Sequence, residues 1–352
     1  HHGEGAKKKG DETAGGAGHA LPIPVRRGAV KPLPGRAAVF QLLFRGCRHF
    51  ARMRGLAAIG LGPVRAWLAG TPVPTPPASA AMAPPASPSC QRLLARETAL
   101  AELWGPGCAM PGGGEELVRL ASVFGPSPAT TMLLVGARDG APARCLATAY
   151  GAWVAGVEAD PWLVQRAESF AGQGGAVAKR ASVAGWQPEA PGFRPGFHHH
   201  ALALEPLSQA EPAPLAAALA AALKPHGGLV LLDLVADQPL DPAQQRHWQR
   251  AEARSLPPPT EAQVTRSLGR AGFDVRAAED LSARHQKLCM LGWRGLVGRI
   301  AQSRAAEGRP PPPLAAALVA EAERWLWRMR LMRDGHLRLV RWYAIGSARP
   351  GA

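Results

Sequence analysis

The residues with the clearest chemical meaning are two glycines and an acid about twenty positions further on. Gly136 and Gly140 stand in LLVGARDGAPARCLA, where an apolar run passes through a turn into a helical pattern. A glycine has no Cβ, so backbone here can approach a nucleotide-type cofactor closely. Glu158 ends the next apolar run, WVAGVE, where a carboxylate can accept hydrogen bonds from both ribose hydroxyls. We therefore predict a cofactor site on Gly136, Ala137, Arg138, Gly140, Glu158 and Ala159, with a tight turn and a solvated acid as the alternative.

Two further groups of residues could hold a ligand, and each has a plainer explanation. Residues 198–200 are three histidines with no Cys or carboxylate at ligand spacing, so we expect a partly exposed strand start and no metal site. Arg324, Arg328, Arg330 and Arg333 either meet an anionic acceptor or form a solvated helix face. The five cysteines contain no CxxC pair, which indicates reduced thiols rather than a disulfide framework.

Strand and helix patterns that alternate along the chain must position these residues. Such alternation predicts an α/β, Rossmann-like fold with a seven-stranded, mostly parallel sheet and helices on both faces. The predicted strands are 132–135, 153–158, 176–180, 200–205, 229–234, 273–279 and 337–346. Two long helical patterns between the last two strands, separated by EGRPPPP, predict a helical cap over residues 283–334. The apolar stripe of the second one, from Leu318 to Met332, is expected to pack rather than to bind.

Charge and composition divide the chain into two parts. The net charge is +15, yet no acid stands between Glu12 and Glu97, a gap that holds eleven Arg and Lys residues. We expect residues 1–90 to be a disordered basic extension, with a targeting segment or a nucleic-acid-binding tail as alternatives. Residues 91–347 are expected to form the folded domain, with no nucleic-acid partner. No apolar run approaches the ~18 residues that span a bilayer, so we expect a cytoplasmic protein without a membrane partner.

Five fragments carry a resemblance to a known family. LLVGARDGAPAR is similar to the glycine motif LDIGCGxGGPAR, and YGAWVAGVEADP to the second-strand signature with its acid. LKPHGGLVLLD at 223–233 is very close to LKPGGxLxLxD and is the most specific match. LWGPGCAMPGG at 103–113 and AGFDVRAAEDLSAR at 271–284 are similar to segments before and after that element. The chain thus resembles the class I S-adenosylmethionine-dependent methyltransferases, particularly phosphoethanolamine and sarcosine-type N-methyltransferases.

The resemblance implies a function and a set of roles. The cofactor would be S-adenosylmethionine, and the methyl acceptor a small molecule, an amine. Trp104 and Met110 would close over the site and contact the substrate, and the two cap helices would cover the acceptor. Glu205 stands where the family places acceptor-facing residues, so it is the candidate base; a helix-starting or solvated glutamate before Pro206 is equally compatible. Ser182 would lie at the third strand tip, near the adenine.

The chain departs from the family pattern at three places. Arg138 replaces the middle glycine, Leu134 replaces an acid, and residues 181–182 replace the Asp that often contacts the adenine. Arg138 could pair with the carboxylate of the cofactor, point to water or block the loop. Two rival functions therefore remain: a methyltransferase-like scaffold that acts through partners, and an NAD(P)-dependent oxidoreductase, against which the incomplete GxGxxG argues.

Overall fold

The computed structural model describes residues 88–170, 175–236, 240–306 and 311–348. The expectations for residues 1–87 therefore lie outside the described residues. The helices are α1 Pro88–Trp104, α2 Gly113–Ala121, α3 Ala141–Tyr150, α4 Pro161–Phe170, α5 Gly175–Ala178, α6 Pro212–Ala222, α7 Pro242–Glu252, α8 Glu261–Arg270, α9 Ser282–Ala306 and α10 Pro312–Arg333. The strands are β1 Thr131–Val135, β2 Trp153–Glu158, β3 Ala181–Gly185, β4 His198–Leu204, β5 Leu223–Val235, β6 Phe273–Asp280 and β7 Arg338–Gly346.

The strands form one seven-stranded sheet in the order β3-β2-β1-β4-β5-β7-β6. β1 to β5 pair in parallel, whereas β7 runs antiparallel to both β5 and β6. The predicted mostly parallel α/β sheet is confirmed. Central strands of this kind are covered on both faces, which explains why β1 reads as a continuous apolar run with four fully buried residues.

The predicted third strand was placed wrongly. Residues 175–178 form the short helix α5, and β3 begins at Ala181, just after the predicted strand 176–180 ends. The residues AVAKR are apolar enough to be read as a strand, but the parallel register instead pairs Val154 with Ala181 and Glu158 with Gly185. This shift moves Ser182 from the predicted strand tip to the amino-terminal half of β3.

The two predicted cap helices are present as α9 and α10. With α1 they enclose an apolar cluster of their own, built around Leu100, Trp104, Trp293 and Trp325. The rings of Trp104 and Trp325 meet edge to face, with centroids 5.2 Å apart. A Cβ on Gly292 would collide with the Trp104 ring, so α9 passes this ring at backbone distance. The apolar stripe of α10 therefore packs, as its spacing predicts.

The cap cluster is distinct from the two clusters that cover the faces of the sheet.

No helix among the described residues is long and apolar enough to cross a membrane.

Candidate functional site

The turn after β1 is built from backbone held close to neighbouring strands. The amides of Gly136 and Ala137 both donate to the Val157 carbonyl, at 3.0 and 3.1 Å. Gly136 has φ 87°, and a Cβ there would stand 2.9 Å from the carbonyl oxygen of Leu204. Gly140, with φ 82°, precedes α3 and closes the turn by donating to the Ala137 carbonyl at 2.9 Å. A side chain at Gly136 would fill the narrow gap between the ends of β1 and β4.

Glu158 is fixed in one orientation at the end of β2. Its Oε2 accepts from the Arg138 amide at 2.8 Å, and its Oε1 accepts from the amides of Ala159 and Asp160 at 2.9 and 3.1 Å. The residue is only 8% exposed. Because a carboxylate oxygen can accept two hydrogen bonds, Oε2 retains capacity for one more donor. The acid is therefore preoriented for a hydroxyl group.

Arg138 neither points to water nor is free. Its Nη2 lies 2.5 Å from both carboxylate oxygens of Glu97 on α1, and both side chains are largely buried. Burial works against the charge, but Glu97 raises the pKa of the guanidinium above its ordinary value. Its backbone has φ 50°, a left-handed conformation that is costly for a non-glycine residue. The Nε atom is buried and has no hydrogen-bond partner.

A cleft of about 260 Å³ opens at the carboxyl ends of β1, β2 and β4, under the cap. It brings together six of the predicted site residues: Met110, Gly136, Arg138, Glu158, Ala159 and Glu205. Ala137 and Gly140 shape the turn but do not line the cleft. Trp186, which directly follows β3, lines it at the strand end where sequence analysis had placed Ser182.

Two predicted contacts require correction. Ser182 is exposed on β3 and does not line the cleft, because that strand begins at Ala181. Trp104 does not line it either; it is 6% exposed within the cap cluster, where its ring packs against the cleft-lining Trp325. Its large apolar surface is better buried between α1 and the cap helices than left beside a polar cleft.

The predicted role of Glu205 as a base is wrong. Its two oxygens accept from Arg328 at 2.8 and 2.9 Å and from Arg254 at 3.1 Å. Burial alone would raise the pKa of this carboxyl, but Arg328 and Arg254 outweigh it and lower the pKa to about 2. Such a carboxylate is a poor proton acceptor near neutral pH. The alternative is confirmed in part: Glu205 directly precedes the 3-10 helix Pro206–Ser208 as a helix-starting residue, but its carboxylate is paired with two buried arginines rather than solvated.

The arginines that hold Glu205 form a network that sequence analysis missed. Arg328 of α10 also bonds Glu252 at 2.7 and 2.8 Å, so it is neither a solvated residue nor free for an anion. Arg254 also bonds the buried Asp233 at 3.1 Å, but its Nη1 is buried without a partner. Asp233 closes the LKPHGGLVLLD motif, a signal that could have indicated it. Nothing in the sequence around Arg254 indicates that it reaches the cleft.

Asp233 has the opposite electrostatic character to Glu205. Burial, together with the neighbouring Glu205, outweighs Arg254 and raises the pKa of this carboxyl to about 6. Its oxygens also accept from the amides of Leu207 and Leu234 at 2.6 and 2.7 Å. Asp233 thereby fixes the turn after β4, where Glu205 has φ 48°.

The three histidines lie at the opposite, amino-terminal end of β4. His199 contacts the Thr131 hydroxyl at 2.9 Å and Lys224 at 3.0 Å. Burial is the first cause of the lowered pKa of His198, about 4. Within the described ranges, no group of three or more His, Cys, Asp or Glu residues could hold a metal ion.

Comparison with known proteins places the fold. No family model matches the chain, and no curated protein matches it. Among solved structures, a phosphoethanolamine N-methyltransferase from Haemonchus contortus is similar at 17% identity and a TM-score of 0.61, over 71% of this chain and 56% of that one. The fold is that of the class I methyltransferases.

Two other solved structures extend this comparison. A putative sarcosine dimethylglycine methyltransferase from Galdieria sulphuraria has 16% identity and a TM-score of 0.52, over 67% of this chain and 85% of that one. A [4+2]-cyclase has 16% identity and a TM-score of 0.55, over 74% and 96%. The chain therefore spans little more than half of the phosphoethanolamine enzyme, and the shared fold by itself does not fix the reaction.

Proposed function

We propose that this protein transfers a methyl group from S-adenosylmethionine to a small amine. The observation that carries the proposal is the glycine turn at the end of β1, which opens into the same cleft as the preoriented carboxylate of Glu158. Gly136 leaves the space that a Cβ would fill, and Glu158 Oε2 can still accept a hydroxyl donor. These residues fit a cofactor that carries a ribose.

The cofactor would supply an electrophilic methyl group, and the chain would bind it and exclude water. Glu158 would accept from the ribose, the Gly136 turn would allow close backbone approach, and Trp186 would offer an aromatic face at the end of β3. Holding the acceptor in line with the methyl group then accounts for much of the rate enhancement.

The acceptor is proposed to be an amine because neither Glu205 nor Cys108, the candidate base and the thiol that line the cleft, is a suitable proton acceptor. The pKa of Glu205 is about 2, and burial raises the pKa of the cleft-lining Cys108 to about 11. No His, Lys or Tyr is among the described residues that line the cleft. The uncharged form of an amine carries the lone pair that attacks the methyl group, and an ammonium acceptor would first lose its proton to solvent, so the chain need not supply a base.

Arg254 adds a preference for an acceptor that also carries a negative charge. This residue lines the cleft, its side chain is 2% exposed, and its Nη1 has no partner. A buried unpaired donor on a cation is costly, and a carboxylate or phosphate of the acceptor would satisfy it. Two similar solved proteins are named for acceptors of this kind, one for phosphoethanolamine and one, a putative enzyme, for sarcosine.

The rival functions differ from this proposal in specific ways. In the dinucleotide-binding fold the sheet is mostly parallel and the usual strand order is 3-2-1-4-5-6. Here the antiparallel β7 stands between β5 and β6, which argues against an oxidoreductase. The scaffold alternative predicts that no cofactor binds, so a binding measurement separates it from an enzyme.

The decisive experiment is calorimetric titration of the full chain with S-adenosylhomocysteine. We expect a micromolar affinity, ~8 kcal/mol of binding free energy. Glu158→Ala should weaken binding tenfold or more, since each lost charge-assisted hydrogen bond is worth ~1.5–3 kcal/mol. Glu158→Gln keeps the shape of the side chain and one acceptor oxygen, so it should weaken binding less than Glu158→Ala. It therefore separates the loss of the charge from a distortion of the turn. Glu168→Ala, an exposed acid on α4, is the matched control.

No heat and no melting shift up to millimolar ligand would overturn the enzyme proposal and favour a scaffold. Where the cofactor binds, methyl transfer to sarcosine and to phosphoethanolamine should be compared with transfer to sarcosine ethyl ester and to ethanolamine. We expect the anionic members to be preferred and Arg254→Met to remove that preference. Equal rates for charged and uncharged acceptors would contradict the role of Arg254.

A further inference from the structure

Helix α1 bridges the two walls of the cleft through consecutive residues. Arg96 pairs with Glu321 of α10 at 2.9 Å, on the cap side. Glu97 pairs with Arg138 in the glycine turn at 2.5 Å, on the sheet side. Arg96 lines the cleft, and so do Met110 and the neighbouring residues of the loop after α1. The helix and its loop thus cover the proposed cofactor site.

The attachments of α1 to the two walls differ in kind. Towards the cap, Ala99, Leu100 and Leu103 are buried in the apolar cluster shared with α9 and α10. Towards the glycine turn, the side-chain attachment of α1 is the charged pair of Glu97 with Arg138. Apolar packing resists separation because it would expose hydrophobic surface, whereas the two charges of a buried ion pair regain their hydration when they separate. The attachment to the turn is therefore the one that can open.

Arg138 occupies its place at a conformational cost. Its φ of 50° is one that glycine adopts freely, and the flanking Gly136 and Gly140 also have positive φ. A residue held in this region persists only where the surroundings compensate for it. Here the compensation is visible as the contact with Glu97 and the backbone bond to Glu158.

We propose that the Glu97–Arg138 pair is a clasp that holds α1 over the glycine turn and sets how fast a cofactor enters and leaves. The inference rests on the proposed function, because it assigns the clasp to the cofactor side of the same cleft. When the pair opens, Glu97 and Arg138 are solvated separately, and α1 is no longer held to the turn by this side-chain contact. When the pair forms again, α1 covers the site and the ligand is retained.

The clasp makes a kinetic prediction that a direct ligand contact does not. Stopped-flow tryptophan fluorescence can follow S-adenosylhomocysteine binding, since Trp186 and Trp325 line the cleft. We expect Glu97→Gln to raise both the association and the dissociation rate constants about tenfold, the effect of one charge-assisted hydrogen bond. The equilibrium affinity should change less than threefold. Arg138→Gly, which also alters the cofactor turn, should raise the two rate constants in the same way, and adding Glu97→Gln to it in the double variant should raise them no further.

The matched control is Glu102→Gln, because Glu102 is also on α1 but pairs with Arg299 in an exposed contact. Its rate constants should stay within twofold of those of the unmodified protein. Unchanged rates in Glu97→Gln would overturn the clasp. A rise in dissociation alone would also overturn it, because that pattern belongs to residues that touch the ligand.

A second readout does not depend on any ligand. Hydrogen exchange of the amides at residues 92–104 should be faster in Glu97→Gln than in the unmodified protein or in Glu102→Gln. If neither the unmodified protein nor its variants bind S-adenosylhomocysteine, the proposed function is refuted. Hydrogen exchange then still tests the clasp by itself. Equal exchange in all three proteins would refute the clasp, whatever the ligand does.

Discussion

Replacing Glu205 by glutamine tests the electrostatic description of the cleft most directly. The carboxylate accepts three hydrogen bonds from Arg254 and Arg328, and its side chain is 26% exposed. Glutamine keeps the shape but loses the charge and one acceptor. Arg328 keeps Glu252, and Arg254 keeps Asp233, so neither cation is left alone. We therefore expect Glu205→Gln to lower the free energy of unfolding by about 3 kcal/mol at pH 7, near the low end of the range for a broken buried ion pair.

The lowered pKa of Glu205 gives a second estimate of how much its carboxylate stabilises the folded protein. The folded-state pKa of Glu205 is about 2, against 4.5 for the ordinary group. Because the pKa is depressed, the stabilisation is fully present above pH 4.5 and is lost as the pH falls towards 2. The shift corresponds to about 3 kcal/mol at pH 7 and roughly 1 kcal/mol at pH 3. The difference in stability between the two proteins should therefore shrink by more than half between these pH values.

Urea unfolding, followed by tryptophan fluorescence at pH 7 and pH 3, measures this difference. Asp233 titrates near pH 6 and is present in both proteins, but Glu205 is one cause of its raised pKa, so Glu205→Gln should lower that pKa and reduce the measured difference at pH 7. Glu279→Gln is the control, since Glu279 pairs with Arg341 while 51% exposed, and it should cost less than ~1 kcal/mol. A Glu205→Gln protein as stable as the unmodified one at pH 7, or a difference that grows on acidification, would refute the reasoning.

Three further predictions concern packing and a buried thiol. Gly136→Ala should abolish S-adenosylhomocysteine binding and lower the melting temperature, because its Cβ would lie 2.9 Å from a carbonyl oxygen. An unchanged affinity in calorimetry would contradict the close backbone approach at this turn. Cys289, which is fully buried and whose pKa burial raises to about 12, should react with a thiol reagent at pH 8 only after unfolding; prompt labelling would show that it is accessible. Trp325→Ala should cost ~3–5 kcal/mol in chemical unfolding, while Trp153→Ala, at a residue 48% exposed, should cost under ~1 kcal/mol; similar losses would contradict the cap cluster.

The sequence by itself determined the fold and the cofactor side of the cleft. Buried strands such as β1 are apolar along their whole length, and the glycines of the turn are required by local backbone geometry. Such features depend on a few adjacent residues, so they can be read without knowing what lies across the fold. Gly136 and Glu158 were placed correctly at the cleft for this reason, although their binding of a cofactor remains a proposal.

The sequence failed where two similar local patterns compete. Residues 176–180 are compatible with a short strand or a helical turn, and only pairing with β2 decided for a strand at Ala181. Trp104 suits a binding surface or a core equally well by its type. Its position against Gly292 and Trp325 depends on how α1 packs against the cap.

Only the tertiary structure decided the acceptor side. Glu205 and Arg328 are 123 residues apart in the chain, and Glu97 and Arg138 are 41 apart. The pKa of a carboxyl group depends on burial and on charges within a few ångströms, and distant segments of chain supply both. A glutamate that reads as a base in the sequence therefore becomes an ion-pair partner once two arginines from elsewhere in the fold are packed against it.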